Sequence, residues 1–236
     1  MERLQSRELV ENYELLASVY DDLLQDPEAY ALWLKYIKRF TKGKRVLELA
    51  SGSAVMAKIL QDEGYEVIAS DISKSMQEAA KRNYDGPYML IDMTDIKLDE
   101  RFDLVLCICD SMNYMVDEDI LKRAIRCAYD VLDKGGVYIF DMHDVKRLEE
   151  FKEMYIEEGI VDDIAYQWTI QSDAIDMTIN EHFAFYLQDK VVEEAHTQRV
   201  YPKDTVIRIL KDIGFKVTCI DDFIKDEKVL FIGEKI

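Results

Sequence analysis

The chain is poor in residues that staple or ligate. It has four cysteines in 236 residues, Cys107, Cys109, Cys127 and Cys219, and no Cys-x-x-Cys pair. Its three histidines, His143, His182 and His196, are scattered. A zinc site needs clustered thiolate and imidazole ligands, so no metal is expected. Buried, reduced thiols are the reading that remains. No apolar run is long enough to span a bilayer, so no membrane partner is expected. The opening stretch from Met1 to Glu8 lacks the apolar core of a signal peptide, which points to a cytoplasmic protein. Basic residues are short too. The 30 Lys and Arg stand against 48 Asp and Glu, a formal net charge of -18. Such a field repels a phosphate backbone, which argues against nucleic acid, and suits a neutral or cationic small molecule.

Glycine is scarce where a dinucleotide loop would need it. The stretch Val46-Leu47-Glu48-Leu49-Ala50-Ser51-Gly52-Ser53-Ala54 holds one glycine in place of Gly-x-Gly-x-x-Gly. It is still an apolar run that ends in small residues and turns helical. Asp71 follows at the end of the next apolar run, Glu66-Val67-Ile68-Ala69-Ser70. A strand, a small-residue loop, a helix, a second strand and an acid build a pocket for a ribose-bearing ligand. Backbone N–H groups approach the ligand over the small residues, and the acid accepts from a ribose diol.

What is present is ample apolar matter, 49% of the chain, in two textures. Val10, Tyr13, Leu16, Ala17, Tyr20 and Leu24 recur at helical spacing, and a second helix is expected over 28–40. Strands are then expected over 45–50, 65–70, 88–91, 102–109 and 137–141, alternating with helices over 53–63, 74–83 and 117–133. Strands as apolar as Leu104–Cys109 expect cover on both faces. This predicts a doubly wound, mostly parallel α/β sheet. After Lys146 the period falls to two. Ile164, Tyr166, Trp168 and Ile170 alternate with Ala165, Gln167 and Thr169, and Met177, Ile179, Phe183, Phe185 and Leu187 hold odd positions. With a third run over 191–201, this predicts antiparallel hairpins. The expected organisation is one domain over 1–236, with a helical cover over 1–42 and an antiparallel cap inserted over 160–202. A helix closed by Gly214 and strands over 215–220 and 228–232 complete it.

Three further segments add to the loop: Ile91-Asp92-Met93; Arg101-Phe102-Asp103-Leu104-Val105 with Cys109-Asp110-Ser111-Met112-Asn113-Tyr114; and the run from Leu132 through Gly135-Gly136 to Asp141. Together they resemble the class I S-adenosylmethionine-dependent methyltransferases, over the chain from about Tyr13 to the C-terminus. Tyr13–Asp21 and Glu194–Tyr201 are similar to stretches of small bacterial members.

The resemblance implies a Rossmann-like methyltransferase fold and S-adenosylmethionine as cofactor. It implies that Glu48 organises the loop and that Ala50, Ser51 and Gly52 meet the amino and carboxylate groups of the methionine part. Asp71 would hold the ribose, Ile72 and Met76 would pack on the adenine side, and Asp92 and Met93 would read the adenine edge. Cys109, Asp110 and Ser111 would face the methionine amine or the methyl, and Tyr13 and Tyr20 would close over the sulfonium. His196, Asp110 and Tyr201 are the candidate bases, with Arg199 or Tyr114 orienting the acceptor. The expected reaction is SN2 methyl transfer to N or O of a small molecule. Relatives usually carry glycine at Ala54 and often at Ala50. The added methyl at Ala54 is expected to tilt the loop or weaken cofactor contact. A fold-retaining homologue without activity and a nucleotide-linked oxidoreductase are the alternatives. Oligomeric state is not readable.

Overall fold

The computed structural model describes residues 15–24, 26–225 and 227–236. Tyr13 and the start of the first expected helix lie outside the described residues.

Helix α1 (Leu16–Leu24) and helix α2 (Pro27–Phe40) precede the sheet. Asp26 separates them by capping α2. Its carboxylate accepts the N–H groups of Glu28 and Ala29 at 3.1 and 3.0 Å, with Pro27 at the first helical position. Then come β1 (Arg45–Glu48), α3 (Val55–Asp62), β2 (Glu66–Asp71), α4 (Lys74–Ala80), β3 (Tyr88–Leu90) and β4 (Phe102–Cys107). A 3-10 turn (Ser111–Tyr114) leads to α5 (Glu118–Val131) and β5 (Leu132–His143). After α6 (Lys146–Glu150) the chain makes β6 (Tyr155–Val161), β7 (Ile164–Asp173), β8 (Thr178–Tyr186) and β9 (Val191–Arg199). It closes with α7 (Lys203–Ile213), β10 (Phe215–Phe223) and β11 (Lys228–Lys235).

Seven strands form one sheet in the order β10-β11-β5-β4-β1-β2-β3. Strands β1 to β5 pair in parallel, and β11 runs antiparallel between β5 and β10. The chain leaves β1 toward β3 and returns to β4 on the other side. The carboxyl ends of β1 and β4 therefore flank a topological switch point, where open α/β sheets bind ligands.

Period-two geometry divides each buried strand between two cores. Val46, Leu104, Leu106, Val137 and Ile139 join Trp33 and Ile37 of α2 and Met56 and Leu60 of α3. Leu47, Val105, Cys107, Tyr138 and Phe140 join Leu121 and Ile125 of α5 and Val206 and Ile209 of α7. This two-sided burial is what the continuous apolar runs encode.

The other four strands form a separate antiparallel sheet in the order β6-β7-β8-β9. Strand β6 has no counterpart in the expected hairpins. It is an edge strand held by backbone pairing, with Ile156 and Ile160 exposed at 55% and 76%, so it shows no buried alternation to read. Strand β5 also begins earlier than expected. Phe102 pairs with Leu132 and Leu104 with Val137, so the Gly135-Gly136 segment bulges within the strand and does not end the helix. A Cβ on Gly136 would meet backbone oxygens of Asp133 and Phe102 at 2.9 and 3.0 Å.

Two helices seat on the antiparallel sheet. Leu16 and Val19 of α1 pack on Phe183 and Phe185, and Leu148 of α6 with the following Phe151 packs on Ile170 and Ile179. The stretch between these contacts faces the carboxyl edge of the seven-stranded sheet.

Candidate active site

A cavity of about 940 Å³ lies between the carboxyl ends of the parallel strands and the antiparallel sheet. Its first half is built on the loop between β1 and α3. Three positions there take left-handed backbone: Ala50 (φ 49°), Gly52 (φ 51°) and Ala54 (φ 60°). Two are alanines, which pay for a conformation that glycine adopts freely. The loop is tied down from several sides. Ser51 N–H donates to Ser70 O at 2.8 Å, the Tyr88 hydroxyl donates to Gly52 O at 2.9 Å, and Ser70 Oγ donates to Glu48 O at 2.8 Å.

Asp71, at the end of β2, binds both banks of the crevice. Its carboxylate accepts Gly52 N–H at 3.0 Å and Ser73 N–H at 2.9 Å. Burial raises its carboxyl above the ordinary value, and those backbone donors oppose the rise. Glu48 lies 1% exposed outside the cavity lining. Burial pushes its carboxyl up to about 8, against a backbone bond from Ala57 and with the Asp71 charge adding. It is therefore mostly protonated at neutral pH.

Ala50, Gly52, Asp71, Ile72 and Met76 line this half of the cavity, and Ser51 does not. Asp92 and Met93 line its far end, beside Ile91 and Thr94. One Asp92 oxygen is spent on its own turn, accepting Thr94 N–H at 2.8 Å and Thr94 Oγ1 at 2.7 Å. Ala54 was the position where an added methyl was expected to disturb the loop. It is fully buried in the α2/α3 core and is absent from the described lining residues.

Tyr20 of α1 also lines the cavity. That helix is moored on both sides. Asp21 accepts from Ser53 Oγ and, at 2.7 Å, from Asn83 Nδ2. Glu194 of β9 accepts the N–H groups of Leu15 and Leu16 at 3.1 and 3.0 Å, capping the helix start.

The centre of the site is a buried charge network. Cys109 and Asp110 follow β4 in left-handed backbone, both at φ 59°. Lys228 Nζ sits 2.7 Å from Asp110 Oδ2 and 3.2 Å from Asp141 Oδ2, while Asp110 N–H donates to Asp141 at 3.3 Å. His143 Nδ1 lies 3.5 Å from Asp110 Oδ1, and its Nε2 lies 2.9 Å from Gln198 Oε1. Burial alone would raise the Asp110 carboxyl. The facing His143 and Lys228 reverse that and hold it below its ordinary range. Burial raises Asp141 to about 6 against the pull of Lys228. Burial would lower Lys228, but Asp110 and Asp141 drive it above its ordinary value.

The antiparallel sheet forms the opposite wall. His196, 2% exposed, sits with Tyr114 and Phe183 edge-on at 6.1 Å each, and its Nε2 lies 3.9 Å from Glu194 Oε2. Burial lowers its imidazole to about 4, so it is neutral at pH 7. Asp110, Ser111, His196 and Tyr114 are thus brought together on the cavity. Tyr201 and Arg199 are not. The Tyr201 hydroxyl donates to Met115 O, and Arg199 donates to Val116 O at 3.1 Å while lying 5.3 Å over the Tyr201 ring. Both brace the segment after the 3-10 turn and are absent from the described lining residues.

Sequence reasoning missed Glu181, Arg147, Lys228 and the functional placement of His143, all on the cavity. For Glu181 a signal existed: it is the one charged residue at the odd positions from Met177 to Leu187. For the others, tertiary contact alone places them.

Residues 46–136 match the family model described as methyltransferase domain. The protein YqeM of Bacillus subtilis (strain 168), named as a methyltransferase, is 27% identical over 218 residues and covers 87% of each chain. These matches support a class I S-adenosylmethionine-dependent methyltransferase. The fold of this methyltransferase is similar to that of an S-adenosylmethionine-dependent methyltransferase from Clostridium acetobutylicum ATCC 824. That match has a TM-score of 0.78, 21% identity, and coverage of 94% of this chain and 98% of the other. It is similar also to the sugar N-methyltransferase KedS8 from Streptoalloteichus sp ATCC 53650, with a TM-score of 0.79, 21% identity, and coverage of 92% and 90%. The chain carries a left-handed loop at a strand end, and a half-buried acid on the next strand orders that loop.

Proposed function

We propose that this methyltransferase methylates a small-molecule acceptor at nitrogen, holding S-adenosylmethionine in the first half of the cavity and the acceptor in the second. The observation that carries the reading is the single cavity shared by the β1–α3 loop and the inner face of the antiparallel sheet. S-adenosylmethionine supplies an electrophilic methyl group on a sulfonium. The chain supplies position and dryness. In this reading Asp71 holds the ribose hydroxyls, and the backbone of Ala50, Ser51 and Gly52 meets the amino acid end over Glu48. Ile72 and Met76 pack on the adenine, and Asp92 and Met93 read its edge. Cys109, Asp110 and Ser111 border the methyl, and Tyr20 closes over it. Asp110 and His196 contact the acceptor, while Tyr201 and Arg199 keep Tyr114 in place. The stated activity of the structural neighbour KedS8, a sugar N-methyltransferase, favours nitrogen. So does the acidic balance of the chain.

The test is calorimetric titration with S-adenosylmethionine, followed by a screen of amine and hydroxyl metabolites read by S-adenosylhomocysteine release. Saturable binding is expected. Asp71→Ala should weaken it about 100-fold, the worth of one or two charge-assisted hydrogen bonds. No binding at millimolar cofactor, or turnover confined to hydroxyl acceptors, would overturn the reading.

A further inference from the structure

The strand register arranges the inner face of the antiparallel sheet in rows. His196 on β9 stands opposite Glu181 on β8, and Glu181 opposite Ile170 on β7. The next row holds Glu194, Phe183 and Trp168, and the one on the other side Gln198, Ile179 and Ser172. Helix α1 covers the Phe183 end and α6 the Ile179 end. Glu181 remains between them, on the cavity wall beside Trp168, Ile170 and Phe183. It is the one acid that this sheet contributes to the described lining. A carboxylate among apolar neighbours is costly without a cation.

Two cations face that wall, and both are engaged by acids. Arg147 Nη1 lies 2.7 Å from Glu150 and 3.2 Å from Glu227. Lys228 lies between Asp110 and Asp141. The charges of Asp110, Arg147 and Lys228 all act on Glu181, and the imidazoles of His196 and His143 border the same space. Among the described lining residues the seven acids Asp26, Asp71, Asp92, Asp95, Asp110, Glu181 and Glu227 outnumber the four cations Arg123, Arg147, Lys225 and Lys228. A carboxylate bound beside Glu181 would meet acids, and the two cations whose charges act there, Arg147 and Lys228, are each already paired with two. A bound ammonium would meet its complement.

We propose that Glu181 seats the ammonium group of an amine acceptor that carries no carboxylate of its own, and takes its proton before methyl transfer. This rests on the N-methylation reading and adds to it a residue and an acceptor class. The ammonium gives a proton to the Glu181 carboxylate and becomes a neutral amine. Its nitrogen lone pair forms the N–C bond, the C–S bond breaks, and that electron pair stays on sulfur. The product leaves as a methylammonium, and Glu181 returns its proton to water. Burial, with the Asp110 charge adding, pushes the Glu181 carboxyl up to about 7 against the pull of Arg147, Trp168 and Lys228. A base near the working pH suits this role, whereas His196, lowered to about 4, is a weak proton acceptor.

The experiment uses the full chain loaded with S-adenosylhomocysteine and three probes on one skeleton: phenethylamine, L-phenylalanine and 2-phenylethanol. Binding is measured by calorimetry near pH 6.5 in two buffers of different ionisation heat, which counts the protons exchanged. The wild-type chain should bind phenethylamine roughly ten- to hundredfold more tightly than the other two, the worth of one charge-assisted hydrogen bond. Binding should release protons as Glu181 ionises against the ammonium. Glu181→Gln should lose both the amine preference and the proton release, and Glu181→Asp should keep part of each. Unchanged preference and proton release in Glu181→Gln would overturn the proposal. So would wild-type binding that favours the amino acid or the alcohol, or that admits none of the three. S-adenosylhomocysteine affinity is the separate control. Retained in both variants, it places any loss at Glu181; absent in the wild type, it sinks the N-methylation reading itself.

Discussion

Glu48 makes folding stability depend on pH in a direction opposite to most carboxylates. The carboxyl is 1% exposed and is raised from 4.5 to about 8, chiefly by burial. The folded chain therefore holds this proton more tightly than the unfolded chain does. Its contribution to stability is complete below pH 4.5 and is lost as the pH climbs through about 8. The interval corresponds to about 5 kcal/mol in full, of which about 3 to 4 kcal/mol falls between pH 5 and pH 8. Glu48→Gln keeps the shape and an acceptor for the Ala57 N–H but has no proton to lose. Urea unfolding, followed by the fluorescence of Trp33 and Trp168, should show the wild type losing stability over this range faster than the variant. Near pH 8 the variant should be the more stable of the two. Asp71, Asp141 and Glu181 also have raised carboxyls and tilt both curves, so the difference between the curves isolates Glu48. Parallel curves would refute the reasoning.

Lys228→Met should destabilise the fold by about 3 to 5 kcal/mol, since it strands Asp110 and Asp141 without their cation. Adding Asp141→Asn should recover part of that loss in the same urea titration. Asp21→Ala removes the acceptor for Ser53 and Asn83, so α1 loses its hold on the β1–α3 loop proposed to meet the cofactor. Calorimetry should then show S-adenosylmethionine affinity lower by roughly five- to tenfold, about 1 kcal/mol. Gly43→Ala places a Cβ 2.1 Å from Asp103 Cγ. Displacing that carboxylate breaks its bonds from Lys44 and Arg45 N–H, both at 3.0 Å, for about 2 kcal/mol in thermal or urea unfolding.

The α/β sheet was legible because two-sided burial leaves a plain mark. Val46 and Leu47, or Leu104 through Cys107, are apolar at every position since each neighbour enters a different core. The pocket at the end of β1 and β2 was legible because a strand end, small residues and an acid in order have few other uses. Strand β6 left no mark, because an exposed edge strand needs only its backbone. The place of the Ala54 methyl was not legible. Its spacing put a methyl at the loop, but the left-handed turn sends that residue into the core. The network around Lys228 was invisible for a different reason. Its members come from the ends of β4, β5 and β11, and no linear spacing joins them. Tyr201 and Arg199 shared a segment with His196, but Arg199 is the last paired residue of β9, Tyr201 lies beyond it, and both serve the turn at Met115–Val116.

The ladder rows of the antiparallel sheet also bear on how such an enzyme changes its acceptor. Ile170, Glu181 and His196 touch one chamber from three successive strands, so the chamber is written across hairpins rather than along any one of them. The row keeps its place because the buried pattern of the strands and the turns that join them together set the register. A single exchange at one rung alters the chamber while the half of the cavity built on the β1–α3 loop, anchored on another sheet, stays as it was. If the chamber seats the acceptor as proposed, a change of acceptor needs no new fold, only a different letter on the same rung.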